Sequence, residues 1–150
     1  MMFDYHERLA RLVALDAADA VALVPGPNMV YFTGLHFHLS ERPTIALVTA
    51  DGLSFIVPQL EMTKITTRDD LQAHLFPWTD EDGFVGAFQT AVQELSLDTV
   101  RFGVDGQTMR VFEHRAFEQA GVNDIGDVGQ DLLGIRAIKA STEVEMLREA

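Results

Sequence analysis

Apolar residues along this chain change their period several times, and each change predicts an element. Phe3, Leu9, Leu12, Val13 and Ala17 recur near helical spacing with charged residues between them, which predicts an amphipathic helix from about Phe3 to Asp19. The apolar run Ala20 to Val24, closed by Pro25-Gly-Pro27, reads as a buried strand entering a turn. Asn28 stands where it would cap a brief helical turn carrying Met29, Val30, Tyr31 and Phe32, and Gly34 releases the chain. A polar loop from Leu35 to Arg42 follows. The runs Thr44 to Thr49 and Leu53 to Val57 then flank Asp51-Gly52, a hairpin signal whose loop length Ala50 leaves open, and Pro58 ends the second strand.

Beyond the hairpin the pattern alternates. A weaker helical stretch covers Leu60 to Thr67, and Leu71 to Pro77 reads as a strand leading to Trp78. Asp82 is placed to cap a helix whose stripe is Phe84, Ala87, Phe88, Ala91, Val92 and Leu95. Val100 to Val104 predicts a strand, and Thr108 to Ala120 a helix with Gly121 as its stop signal. Val122 to Gly126 predicts a further strand, and Val128 to Arg136 a short helix. The expected fold class is therefore α/β, with a mixed, mostly parallel sheet flanked by helices and containing an internal hairpin. At the end of the chain, Thr142 and Glu145 have capping-box spacing, with Ser141 an alternative cap, and no stop signal follows Val144, Met146, Leu147 and Ala150. This predicts one domain over residues 1–135, with 136–150 beginning a helix that continues into a further domain.

Composition narrows the function. At 150 residues and 47% apolar content, one domain with a real core is the expectation. The net charge of -12, from 23 acidic and 11 basic side chains without a basic cluster, argues against nucleic acid or an anionic membrane surface as partner. Lack of cysteine removes disulfides, thiolate catalysis and cysteine-based zinc sites. No apolar run is long enough to span a bilayer, and Asp4 and Glu7 stand where a signal peptide has basic residues, so a cytoplasmic location is expected.

Motifs for catalysis are scarce: there is no Gly-rich phosphate loop, no G-x-S-x-G and no H-E-x-x-H. Gly103-Val-Asp-Gly106 reads as a turn between strand and helix. The most suggestive cluster is His36-Phe-His38 with Glu41 and Arg42. In an extended segment the two imidazoles face the same way, and Arg42 can meet a carboxylate beside them. His36, His38 and Glu41 are also metal-ligand types, but no fourth ligand is evident. Asp105 is a candidate carboxylate at a strand end, against the commoner role of Asp-Gly in a turn. Trp78 and Tyr31 are candidates for a pocket wall or for ordinary packing.

At Val30-Tyr-Phe-Thr-Gly34, Glu41-Arg-Pro43, the hairpin ending at Pro58, and Ile138-Lys-Ala-Ser-Thr-Glu-Val-Glu-Met-Leu-Arg148, the sequence resembles the N-terminal, creatinase-like domain of the Xaa-Pro aminopeptidase and Xaa-Pro dipeptidase (prolidase) family. The resemblance implies the creatinase/prolidase N-terminal domain fold. It also implies a C-terminal pita-bread metallopeptidase domain beginning around the terminal helix, in which five carboxylate and histidine ligands hold two divalent ions, manganese, cobalt or zinc. None of those ligands is matched here, so no catalytic residue, metal ligand or cofactor is assigned to this chain. Relatives commonly form dimers in which a loop of this domain approaches the partner's active site and restricts it to short peptides. By position that loop is His36 to Arg42, which makes His36, His38 and Arg42 the substrate-gating or binding candidates. The implied function is a noncatalytic dimerisation and gating domain of a metal-dependent peptidase acting on short Xaa-Pro peptides. A standalone dimerisation or peptide-binding module, and the N-terminal domain of a creatinase-type C–N hydrolase, are the alternatives.

Overall fold

The computed structural model describes residues 3–138 and 147–148. Its strands are β1 (Ala20–Leu23), β2 (Ile45–Thr49), β3 (Gly52–Pro58), β4 (His74–Trp78), β5 (Arg101–Val104) and β6 (Asp124–Asp127). They form one sheet in the order β4-β3-β2-β1-β5-β6. Only β2 runs against the others: β1–β2 and β2–β3 pair antiparallel, while β3–β4, β1–β5 and β5–β6 pair parallel. The sheet is thus mixed and mostly parallel, with β2–β3 as its hairpin.

Successive side chains of a strand point to opposite faces, and here both faces are apolar. Val21, Leu23, Ala46, Val48, Leu53, Phe55 and Val57 enter one core, while Ala20, Ala22, Ile45, Leu47, Ile56, Phe76, Phe102 and Val104 enter the other. Helices α1 (Tyr5–Val13), α2 (Pro27–Thr33), α3 (Met62–Thr66) and α6 (Gly129–Ala137) cover the first face through Leu12, Met29, Phe32, Ile65, Leu132 and Ile135. Helices α4 (Val85–Glu94) and α5 (Val111–Gln119) cover the second through Phe88, Ala91, Val92, Ala116 and Phe117. The result is an α/β/α sandwich, as the alternation of strands and helices predicts.

Several expected details differ. The first helix ends at Val13; Leu15 and Ala18 still join the core, but from a turn, and Asp19 instead accepts the Arg101 backbone N–H at 2.9 Å. Asn28 is no cap. Gly26 holds that position with Pro27 at the first helical turn, and the Asn28 amide is buried against Asp105 and Arg136. Asp82 does not cap α4 either; it exchanges hydrogen bonds with Thr79 in the preceding turn. The hairpin loop is Ala50-Asp51, with Gly52 already paired to Thr49. Gly103 lies inside β5, before the turn, where an added Cβ would meet Ala18 Cβ and Val128 Cγ2 at 2.9 Å, so it is a close-approach glycine. The capping box at Thr142 and Glu145, and most of the 136–150 segment with it, lies outside the described residues.

Candidate functional site

Because β1, β3, β4, β5 and β6 share one direction, their carboxyl ends gather on one edge of the sheet, the edge where open α/β sheets place their clefts. Two clefts open there. The larger, about 500 Å³, lies at the ends of β3 and β4, whose register sets Pro58 beside Trp78. Its walls are Phe37, His38, Ser40 and Arg42 from the loop, Thr44 at the entry to β2, Pro58 to Glu61 after β3, and Trp78, Thr79 and Asp80 after β4.

The loop that carries the sequence candidates is held from both sides. Gly34, in the left-handed conformation at φ +75°, ends α2 and turns the chain toward it. The Trp78 indole N–H donates to the Pro43 carbonyl at 3.2 Å. Arg110, at the start of α5, donates to the Ser40 carbonyl at 2.5 Å and binds Glu113 through Nε and Nη2, both at 3.1 Å. Glu113 has no exposed side-chain surface, and it also accepts the Arg110 backbone N–H at 2.9 Å. A buried carboxylate therefore fixes a guanidinium, and that guanidinium fixes the loop.

Within this frame His38 and Arg42 line the cavity together, whereas His36 is exposed and is not among its walls. Between the histidines, Phe37 turns inward to pack on the first core, 6.3 Å from the Phe55 ring, with the Lys64 ammonium 5.2 Å from its own ring. Arg42 does meet a carboxylate, and it is the chain's own: Nε and Nη2 donate to the two Asp80 oxygens at 2.8 and 2.7 Å. Those hydrogen bonds, with the attraction of the paired charges, hold the Asp80 carboxyl below its ordinary range and raise Arg42 further. Glu61 is tied to Lys64 at 3.1 Å. Among the described residues no group of three or more histidines, aspartates and glutamates is set to hold a metal, so His36, His38 and Glu41 do not converge on one.

The smaller cleft, about 190 Å³, lies where β1 and β5 send their following helices to opposite faces. Asp105 is here, but it is already engaged: Oδ2 accepts from Asn28 at 2.9 Å and Oδ1 from the Gln107 N–H at 3.0 Å. Asn28 in turn accepts from Arg136 of α6 at 3.2 Å, and Asp127 accepts the N–H groups of Gly106 and Gly129 at 3.0 and 2.8 Å. Mutual satisfaction makes this cluster a brace between α2, β5 and α6. Tyr31 lies under the Arg8 guanidinium, 4.0 Å from its ring centroid, and takes no part in the larger cavity.

Asp80, Glu61, Gln59 and Thr79 are site residues that the sequence reading did not single out. The available signal was their place just past two strand ends. It becomes informative only once β3 and β4 are known to be parallel neighbours.

Comparison with known proteins agrees with this architecture. Residues 6–138 match the family model of the Creatinase/Prolidase N-terminal domain. An uncharacterized peptidase of Staphylococcus haemolyticus is 26% identical over 149 residues, and the alignment covers 96% of this chain and 39% of that protein. A Pyrococcus horikoshii dipeptidase superposes with a TM-score of 0.77 at 24% identity, over 96% of this chain and 39% of its own. A proline dipeptidase chain from Streptococcus pneumoniae gives 0.75 at 17% identity, over 92% of this chain and 100% of its own. The chain spans 39% of the length of the curated relatives it matches. A sheet of this order and direction, with a sequence match running almost its whole length, establishes that the chain belongs to the creatinase/prolidase N-terminal domain family.

Proposed function

We propose that this chain is the noncatalytic dimerisation and substrate-gating domain of a metal-dependent peptidase that hydrolyses short Xaa-Pro peptides. The observation that carries the reading is the cavity beneath a braced loop, where His38 and Arg42 stand together on an apolar wall of Phe37, Pro58 and Trp78. An apolar surface suits a prolyl ring, and a guanidinium suits a peptide's terminal carboxylate. His36, exposed on the same loop, is free to reach beyond this domain. In this reading the two divalent ions of such a peptidase are held by a C-terminal catalytic domain; among the described residues no group of three or more histidines, aspartates and glutamates is set to hold a metal. A cytoplasmic homodimer is part of the proposal.

The intact mass of the natural gene product is the first test. A mass more than twice that of this chain supports the reading, and a mass equal to Met1–Ala150 without processing overturns it. In the full-length protein, His36→Ala, His38→Ala and Arg42→Ala are each expected to lower kcat/KM for an Xaa-Pro dipeptide, chiefly through KM for Arg42. Unchanged kinetics in all three, with the dimer intact by light scattering, would remove the gating role.

A further inference from the structure

The Arg42–Asp80 pair differs from the Arg110 and Trp78 contacts that brace the loop. Arg110 is locked by a carboxylate with no exposed surface, and Trp78 Nε1 reaches Pro43 from a buried ring. Arg42 and Asp80 instead keep 49% and 57% of their side-chain surface exposed, and both line the cavity. Their contact is the two-pronged fork by which a guanidinium holds any carboxylate, Nε to Oδ1 and Nη2 to Oδ2. Water reaches both partners, so separating them carries little of the penalty attached to a buried pair. Nor does the loop depend on them, because Arg110 and Trp78 hold Ser40 and Pro43 on either side of Arg42.

We infer that Asp80 is an internal competitor at Arg42: the free α-carboxylate of a short peptide entering the cavity takes the place of the Asp80 carboxylate on the guanidinium. This rests on the peptide-gating reading and adds its regulation. Exchange matches charge with charge, so the ligand's carboxylate is neutralised without any additional cation. Displaced Asp80 turns to solvent, which its exposure already permits. A cavity of about 500 Å³ is within the range that accommodates a small ligand. Asp80 thereby lowers the affinity for every carboxylate ligand, and selects those whose remaining contacts with Phe37, Pro58 and Trp78 offset the exchange.

A pair that only pins the loop to β4 predicts the opposite sign, which makes the test decisive. The probes are Ala-Pro, its C-terminal amide and acetate, titrated into the 150-residue chain and followed by the Trp78 indole and Arg42 Nε N–H resonances. Asp80→Asn, an isosteric change at an exposed position, is expected to bind Ala-Pro on the order of fivefold more tightly than the unmodified chain, the scale on which exposed ion pairs act. Arg42→Ala is expected to abolish that gain, and the amide to show none. Binding to Asp80→Asn that is unchanged or weaker overturns the inference, whatever the kinetics of Arg42→Ala in the full-length protein say about gating. An equal gain for acetate and Ala-Pro leaves carboxylate exchange standing and removes the peptide reading instead.

Discussion

Gly34 shows how much one position decides. Its φ of +75° is a left-handed value that a residue with a Cβ adopts at a cost of about 1–2 kcal/mol. The ring of Tyr5 also lies across it, so an added Cβ would stand 2.6 Å from the Tyr5 hydroxyl oxygen and 2.7 Å from Cζ. Gly34→Ala is therefore expected to lower Tm by about 3–8 °C, using the usual conversion for a chain of this size. Chemical or thermal denaturation checks it, and the same change in a Tyr5→Ala background should cost less, because only the backbone share remains. An equal cost in both backgrounds would show that the ring gives way freely. The glycine signal was legible in the sequence as a helix stop, whereas the ring above it was not.

The loop between α2 and β2 illustrates what elements do for one another. His36 to Arg42 has few packing residues of its own, yet the start of α5 reaches it from 70 positions away through Arg110 and Ser40. Arg110→Ala leaves Glu113 buried without its cation, a change expected to cost about 3 kcal/mol. Amide hydrogen exchange over residues 36–42 should quicken more than exchange in β1 or β2. Arg110→Lys keeps the charge but not the fork, so it should recover stability in part and loop protection less. Uniform acceleration across the sheet would mean that Arg110 supports only the fold. Sequence patterning placed this helix at Thr108 to Ala120, whereas α5 begins only at Val111. Glu113 supplies only half of a capping box, accepting the Arg110 backbone N–H, and its signal is hidden because an arginine stands where a serine or threonine usually completes the pair.

Acid should unfold this protein through a small set of aspartates. Asp19 and Asp80 are held low by arginine hydrogen bonds, Asp70 by Arg68, and Asp127 by the backbone N–H groups of Gly106 and Gly129. A carboxylate whose folded pKa is depressed contributes its full stabilisation above the unfolded value, near 3.9, and loses it as pH falls through the lower folded value. Tm is therefore expected to be flat in this respect from pH 7 to about 5 and to decline below about 4. Melts from pH 7 to 2.5 test this, and Asp127→Asn should lose less on acidification than the unmodified chain. A decline complete above pH 5 would point to other groups. Both cores share one sheet, so the losses at Asp80 and Asp127 on its carboxyl edge, at Asp19 beside the start of β5 and at Asp70 ahead of β4 bear on a single structure.

Apolar period, punctuated by Gly, Pro and Asp-Gly signals, specified the helices, the strands, the hairpin and the mixed α/β class, because burial of a stripe or an alternate face is a local consequence of side-chain order. Short motifs in sequence order pointed to the family, and His38 and Arg42 to the loop. Strand order, the pairing of β3 with β4, and the meeting of Arg42 with Asp80 and of Arg110 with Ser40 came only from the tertiary structure. These contacts join positions 38 and 70 residues apart, and no local preference encodes which distant partner will stand opposite. Packing of the two apolar sheet faces against α1 to α6 decides it, and that choice turns a polar loop into the wall of a cavity.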